Sequence, residues 1–270
     1  MFYSLKNFRV LSNMFEIEKL LGELSETSVV IDVDIDDNFD FNQKDVAFLI
    51  ESGSLLAYAG RKSVKGVRAT QTFGTYDPIG FAEVIVGRAR TVEYRKLSAL
   101  RLRKFQANYL RTKVNASNIF SQTIIKYSLG RIFETKKSGG NVLLEEEFIN
   151  ENYSLLRDFK VAEGEMIFEV ENSADAMYFI EKGSVGIFSA NNKRIAGLNS
   201  GDCFGEAALV SDRTRNYSAI AERETQLLLI ERNIVKRELE RDHAIVRLSV
   251  MVLLKRLELM NKMKLVGQKN

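Results

Sequence analysis

The feature that most constrains this 270-residue chain is that it repeats itself. Residues 48–60, FLIESGSLLAYAG, match residues 178–190, YFIEKGSVGIFSA, and residues 77–94, DPIGFAEVIVGRARTVEY, match residues 202–219, DCFGEAALVSDRTRNYSA, without a gap. Self-similarity of this length means two copies of one domain, so any fold proposed for one half must also serve the other. The offset shifts slightly between the two matches, which places a longer loop in the first copy, over residues 61–75. The best linker is residues 136–141, KKSGGN, where charge, serine and two glycines coincide. The expected domains are therefore residues 1–138 and 139–270, each long enough to bury a core.

Both copies read as short β-branched and aromatic runs. In the first these are VVIDVDI, VAFLIES, SLLAYAG, VRATQTF, IGFAEVIVG, TVEYR and ALRLRKF; in the second, EMIFEVE, AMYFIEKG, VGIFSA, RIAGL, SAIAE and TQLLLIER. They have strand length and are separated by turn signals, which predicts a mainly β fold with flanking helices: two tandem β-rolls of jelly-roll type, each followed by C-terminal helices. Helical spacing appears over residues 1–24, from residue 105 to 134, and over 142–156. A single long helix is expected from residue 236 to about 264, with a broad apolar stripe that needs a cover.

Residues 204–219 of the second copy combine groups suited to a small anion carrying a sugar. Gly205 lets the backbone approach a ligand, and Glu206, Ala207, Ala208 and Leu209 can form a helical turn whose free N–H groups face an anion. Arg215 offers a planar fork for phosphate oxygens, while ionised Glu206 accepts hydrogen bonds from a hydroxyl.

This stretch resembles the phosphate-binding cassette of the cyclic nucleotide-binding domain family, F-G-E-[L/A]-A-L followed by P-R-A-A-T, with Phe204, Gly205, Glu206, Ala208, Leu209 and Arg215 matching in order and spacing. The resemblance covers residues 155–262 most strongly. It implies that Glu206 takes the ribose 2′-hydroxyl, that Arg215 takes the cyclic phosphate, and that Leu209 is an apolar hinge contact to the final helices. Thr214 stands in the proline position, which should loosen the turn before the arginine, and Ala207 stands where leucine is common. Asn216 and Tyr217 follow the arginine; cGMP-selective relatives carry threonine or serine next, so Asn216 leans towards cAMP. The last helix would fold over the base as a lid, with Leu248, Met251 and Val252 as candidate contacts, or pair with its counterpart in a homodimer.

The first copy keeps Gly80 and Arg90 at the positions of Gly205 and Arg215, but Phe81 replaces the glutamate. An aromatic ring cannot accept a ribose hydroxyl, so the first site reads as degenerate. Glu83 is the nearby acid that could substitute, and Thr91 follows Arg90 as in the cGMP-selective relatives.

Composition narrows the function. One cysteine, Cys203, excludes an internal disulfide framework and suits a reducing cytoplasm. With His243 the sole histidine, no His/Cys metal cluster or Cys-His dyad can be assembled, so no metal or cofactor is expected and an enzyme is disfavoured. His243 is expected to be a solvated or helix-packing residue. A net charge of +3 gives no reason to expect a nucleic-acid or membrane partner. The six residues after position 264 are too few for a DNA-reading module, and the N-terminal stretch lacks the basic run of kinase regulatory subunits. The expectation is a cytoplasmic cyclic nucleotide sensor, binding cAMP or cGMP and signalling through an unidentified effector protein. The alternative is a ligand-independent interaction module built on the same folds.

Overall fold

The structure, a computed structural model, describes residues 17–58, 70–90, 92–133, 156–206 and 214–267, with side chains through Leu257. The two copies of the sequence repeat fold into the same two-sheet roll. In the first, β1 (Val29–Val33), β7 (Leu100–Gln106), β2 (Val46–Ser52) and β5 (Pro78–Ile79) lie side by side in one antiparallel sheet. β4 (Thr70–Phe73), β3 (Leu55–Tyr58) and β6 (Glu93–Lys96) form the other. In the second roll, β8 (Arg157–Val161), β15 (Thr225–Glu231), β10 (Ala176–Lys182) and β13 (Cys203–Phe204) reproduce the first sheet. The other sheet runs β12 (Arg194–Asn199), β11 (Ser184–Phe188), β14 (Ser218–Ala221) and β9 (Met166–Phe168).

The repeat holds at the level of single hydrogen bonds. β2 and β7 slip register between Ile50 and Ser52, and β10 and β15 slip at the equivalent Ile180 and Lys182. The aspartate before each cassette, Asp77 or Asp202, caps its own turn by accepting from the backbone N–H three residues earlier, Gly74 or Asn199. From there the copies stay in step at a distance of 125 residues (80 to 205, 90 to 215, 107 to 232, 119 to 244). The extra length of the first copy falls between β3 and β4.

The apolar text of the central strands is continuous because both faces are buried. Val46, Phe48 and Ile50 point into the first roll while Ala47 and Leu49 point out, onto helices. Ala176, Tyr178 and Ile180 against Met177 and Phe179 do the same in the second. The outward faces share one helical core. It contains α1 (Ile17–Glu23), α2 (Phe81–Ile85), α3 (Ala107–Asn115) and α4 (Ile119–Ile132) of the first unit, and α5 (Arg232–Glu240) and α6 (Ala244–Gly267) of the second.

Three expectations need correction. IGFAEVIVG is not a strand: Gly80, in the left-handed region at φ +81°, turns the chain so that Phe81–Ile85 closes a short helix. A continuous apolar run of this kind fits either state, and only the turn decides it. The final helix is two helices, broken after Glu240. The break is held because Asp242 accepts from the Asn118 N–H at 3.0 Å, and His243 Nδ1 accepts from the Ile245 N–H at 3.3 Å at the start of α6. His243 is thus a capping residue, and Asn118 caps α4 at the equivalent place by accepting from the Ser121 N–H at 2.9 Å. The covering of α6 also differs from expectation: Leu248, Val250, Met251, Val252, Leu253 and Leu254 are all buried within the shared core, and α4 is its main neighbour. The N-terminal helix is described only from Ile17, and the linker at 136–141, the boundary at 138 and residues 142–155 lie outside the described residues.

Candidate functional site

Arg215 is the centre of the candidate site. β13 is followed by Gly205, whose φ is +78° and where a Cβ would stand 2.8 Å from Arg215 Nη1. Only glycine leaves room for the guanidinium at this corner. Arg215 is buried, donating from Nη2 to the Ala176 carbonyl at 2.6 Å and from Nη1 to the Gly205 carbonyl at 3.2 Å. Its guanidinium carbon lies 4.1 Å from the Phe168 ring centroid and 5.7 Å from that of Tyr178. These rings, with Phe204 stacked on Tyr178 at 5.1 Å, make an aromatic floor. Burial pulls the Arg215 pKa below its ordinary value, against opposing pulls from Tyr178 and Asp175. Among the described residues its buried Nε has no hydrogen-bond partner and the guanidinium joins no ion pair.

The turn leading into Arg215 lies outside the described residues up to position 213, but from Thr214 onward the chain is paired. Thr214 bridges to Ser173, the Arg215 N–H donates to Asn172 at 2.8 Å, and the Arg215 carbonyl accepts from Glu171 at 2.9 Å.

A pocket opens beside this arginine. Of the residues singled out from the sequence, Phe204, Gly205, Glu206, Arg215, Asn216 and Tyr217 all line it. Ala207, Ala208 and Leu209 lie outside the described residues, as does Thr91. Leu248, Met251 and Val252 do not line the pocket; they face the interhelical core. Among the described residues, the α6 residue that does line it is Leu254, and α4 of the first unit contributes Arg131. Sequence reading missed both. Carrying the repeat step of 125 residues past the cassettes would have flagged Arg131, which answers to Arg256.

The first unit keeps the glycine and the arginine, with Arg90 reaching the Val46 carbonyl as Arg215 reaches that of Ala176, and diverges at the acid and inside the roll. Arg90 is buried and donates to three carbonyls, Ile79 at 3.1 Å, Gln43 at 2.6 Å and Val46 at 2.8 Å. Phe81, in the acid's place, is sealed against Phe105 at 5.5 Å. Glu83 does not turn towards Arg90. It takes a bidentate pair from Arg256 of α6, at 2.8 and 3.0 Å. Burial alone would raise the Glu83 pKa, but the Arg256 hydrogen bonds and charge, helped by Arg90, hold it below the ordinary value. Inside the roll, Phe73 and Tyr94 occupy the places of Leu198 and Ala219, packing at 6.4 Å from each other with Phe41 5.4 Å from Tyr94. Burial pushes the Tyr94 pKa up to about 12.

A cassette with a buried, partly unsatisfied arginine on one side and a carboxylate on the other, set in a roll of this topology, is the feature that comparison with known families tests. The family model described as the cyclic nucleotide-binding domain matches residues 158–242. The second unit is a cyclic nucleotide-binding domain. Among solved structures, the chain is similar to the regulatory domain of Toxoplasma gondii PKA with cAMP, at 19% identity and a TM-score of 0.34, covering 92% of this chain and 93% of that one. It is also similar to the regulatory subunit of a cAMP-independent protein kinase A from Trypanosoma brucei, at 14% identity and a TM-score of 0.37, covering 93% and 86%. The catabolite activator protein of Thermus thermophilus aligns with 52% of this chain and 63% of its own, at 23% identity and a TM-score of 0.39. The match of the family model begins near β8 and ends at the break before α6, so it spans the whole second roll together with α5. Among the described residues no helix is long and apolar enough to cross a membrane, and no group of three His, Cys, Asp or Glu side chains could hold a metal ion.

Proposed function

We propose that the second unit binds a 3′,5′-cyclic nucleotide, cAMP in preference to cGMP, and that binding alters the helix arrangement and is read by a partner protein. The observation that carries this reading is Arg215: a buried cation with an unsatisfied Nε at the wall of a pocket, lacking an ion-pair partner among the described residues. A buried charge of this kind is costly, and an anionic ligand offsets that cost. Glu206 on the same pocket wall supplies the acceptor for a ribose hydroxyl. The lean towards cAMP rests on the residue type of Asn216, which lines the pocket where cGMP-selective relatives carry threonine or serine. Because Arg131 of α4 and Leu254 of α6 wall the pocket, a ligand that contacts them unequally in two helix arrangements biases their equilibrium. The reading gives the first unit no nucleotide, assigns no catalytic residue or cofactor, and implies a cytoplasmic protein. It also places the output on a partner other than a second copy joined through the α6 face up to Leu257, which its own chain covers.

The test is calorimetric titration of nucleotide-stripped full chain with cAMP, cGMP and 5′-AMP, for wild type, Arg215→Ala and Arg90→Ala. One site per chain, with cAMP tightest and a loss of tenfold or more only in Arg215→Ala, is the expected result, since a charge-assisted hydrogen bond is worth about 1.5–3 kcal/mol. Absence of heat with every nucleotide would move the assignment to a ligand-independent interaction module.

A further inference from the structure

The constant step of 125 residues continues through the helices, so that Arg131 on α4 and Arg256 on α6 are equivalent positions in the two copies. If each unit used its own final helix to reach its own cassette, Arg256 would serve Glu206. Instead the arms are exchanged. Arg256, from the second unit, pairs with Glu83 in the first unit's cassette helix. Arg131, from the first unit, stands in the wall of the second unit's pocket with Glu206.

Arg131 is held there by specific contacts. Its Nη1 donates to the Tyr127 hydroxyl at 2.8 Å, and that hydroxyl donates onward to the Cys203 carbonyl at 2.6 Å, on the strand that runs into the cassette. Tyr127 and Ser128 are buried, so α4 cannot slide without dismantling the contact. The Tyr127 oxygen and the Glu206 carboxylate both favour the charged form of Arg131, against the cost of burial. A cation fixed in the same pocket wall as an acceptor carboxylate limits the directions that carboxylate can face.

We propose that the ribose end of the second unit's site is completed by the first unit, with Arg131 as the positioning residue for Glu206. The proposal rests on the cyclic nucleotide reading of that site. It makes the first unit an obligatory component of the site even though its own cassette has lost the glutamate.

The test compares cAMP with 2′-deoxy-cAMP by calorimetry on the full chain, for wild type, Arg131→Met, Tyr127→Phe and Glu206→Gln. Wild type is expected to lose about tenfold to a hundredfold in affinity when the hydroxyl is removed. Arg131→Met is expected to weaken cAMP by about tenfold while leaving 2′-deoxy-cAMP within about twofold, so that the discrimination collapses as it does in Glu206→Gln. If Arg131→Met does not fold, Tyr127→Phe, which removes the anchor, should cut the discrimination several-fold. Undiminished discrimination in either variant, or equal losses for both ligands, would overturn the proposal while leaving the nucleotide reading in place. Wild type binding neither ligand would overturn both.

Discussion

The Glu83–Arg256 pair ties the second unit's last helix to the first unit, and its two partners are buried unequally. Glu83 is 12% exposed at its side chain and Arg256 31%. Removing Arg256 as Arg256→Met strands a carboxylate in the core, for which the loss of a buried pair suggests a cost of about 3 kcal/mol. Glu83→Gln keeps the shape and one neutral acceptor, and the more exposed guanidinium can turn to water, so its cost should be about 1 kcal/mol. The double variant should then be less damaged than Arg256→Met alone, giving a coupling of about 1–2 kcal/mol in a double-mutant cycle. Urea unfolding at pH 7, followed by tyrosine fluorescence and by far-ultraviolet circular dichroism, measures all three. Because the helical core is shared by both units, the transitions seen by the two probes should coincide. The Glu83 pKa is depressed in the folded state, so the contribution is complete above its unfolded value of 4.5 and lost as pH falls through the folded value. The coupling should therefore fade in strong acid. Equal costs for the two single variants, or simple additivity, would refute this account.

Three further outcomes are expected. Gly205→Ala forces a Cβ towards Arg215 at a left-handed φ and should lower the stability of the second unit by about 1–2 kcal/mol in urea titration and remove nucleotide binding in calorimetry. Burial, with Lys113 and Arg247 nearby and Glu23 opposing, depresses the pKa of His243, so neutral His243 stabilises the fold at neutral pH. That contribution is lost as pH falls from about 6.5 through the folded value, and His243→Asn, which still caps α6, should flatten the dependence of Tm on pH in this window. Tyr127→Phe leaves the Cys203 carbonyl and Arg131 without the bridging hydroxyl and should cost about 1–2 kcal/mol by urea unfolding.

The architecture was legible from the sequence because it is written twice: the strands, the turns and the cassette glycines recur in both copies, and errors in one copy are checked by the other. The residues from Phe204 to Glu206 and from Arg215 to Tyr217 could be picked out because their spacing is local, and the structure gathers them around one pocket. Sequence periodicity failed where a turn, and not a pattern, sets the state, as at Gly80 and at the break before α6. It also failed for Leu248, Met251 and Val252, since an apolar stripe does not say whether a pocket or another helix covers it. The exchange of Arg131 and Arg256 between units was invisible for a different reason. Which cassette an arginine reaches depends on how α4 and α6 cross, and no spacing in the chain encodes that crossing.

The aromatic filling of the first roll has a consequence for how the chain responds to change. Phe73 and Tyr94, the latter packed on Phe41, stand where the second roll has the smaller Leu198 and Ala219, and they are covalently part of the chain. A roll filled from its own sequence has an occupancy that does not vary with any solute concentration. On the proposed function the second roll would exchange its contents with solution, so the molecule would hold one fixed reference and one variable element against a common set of helices. Any displacement of α6 that such binding caused would then be registered against a frame that does not itself drift.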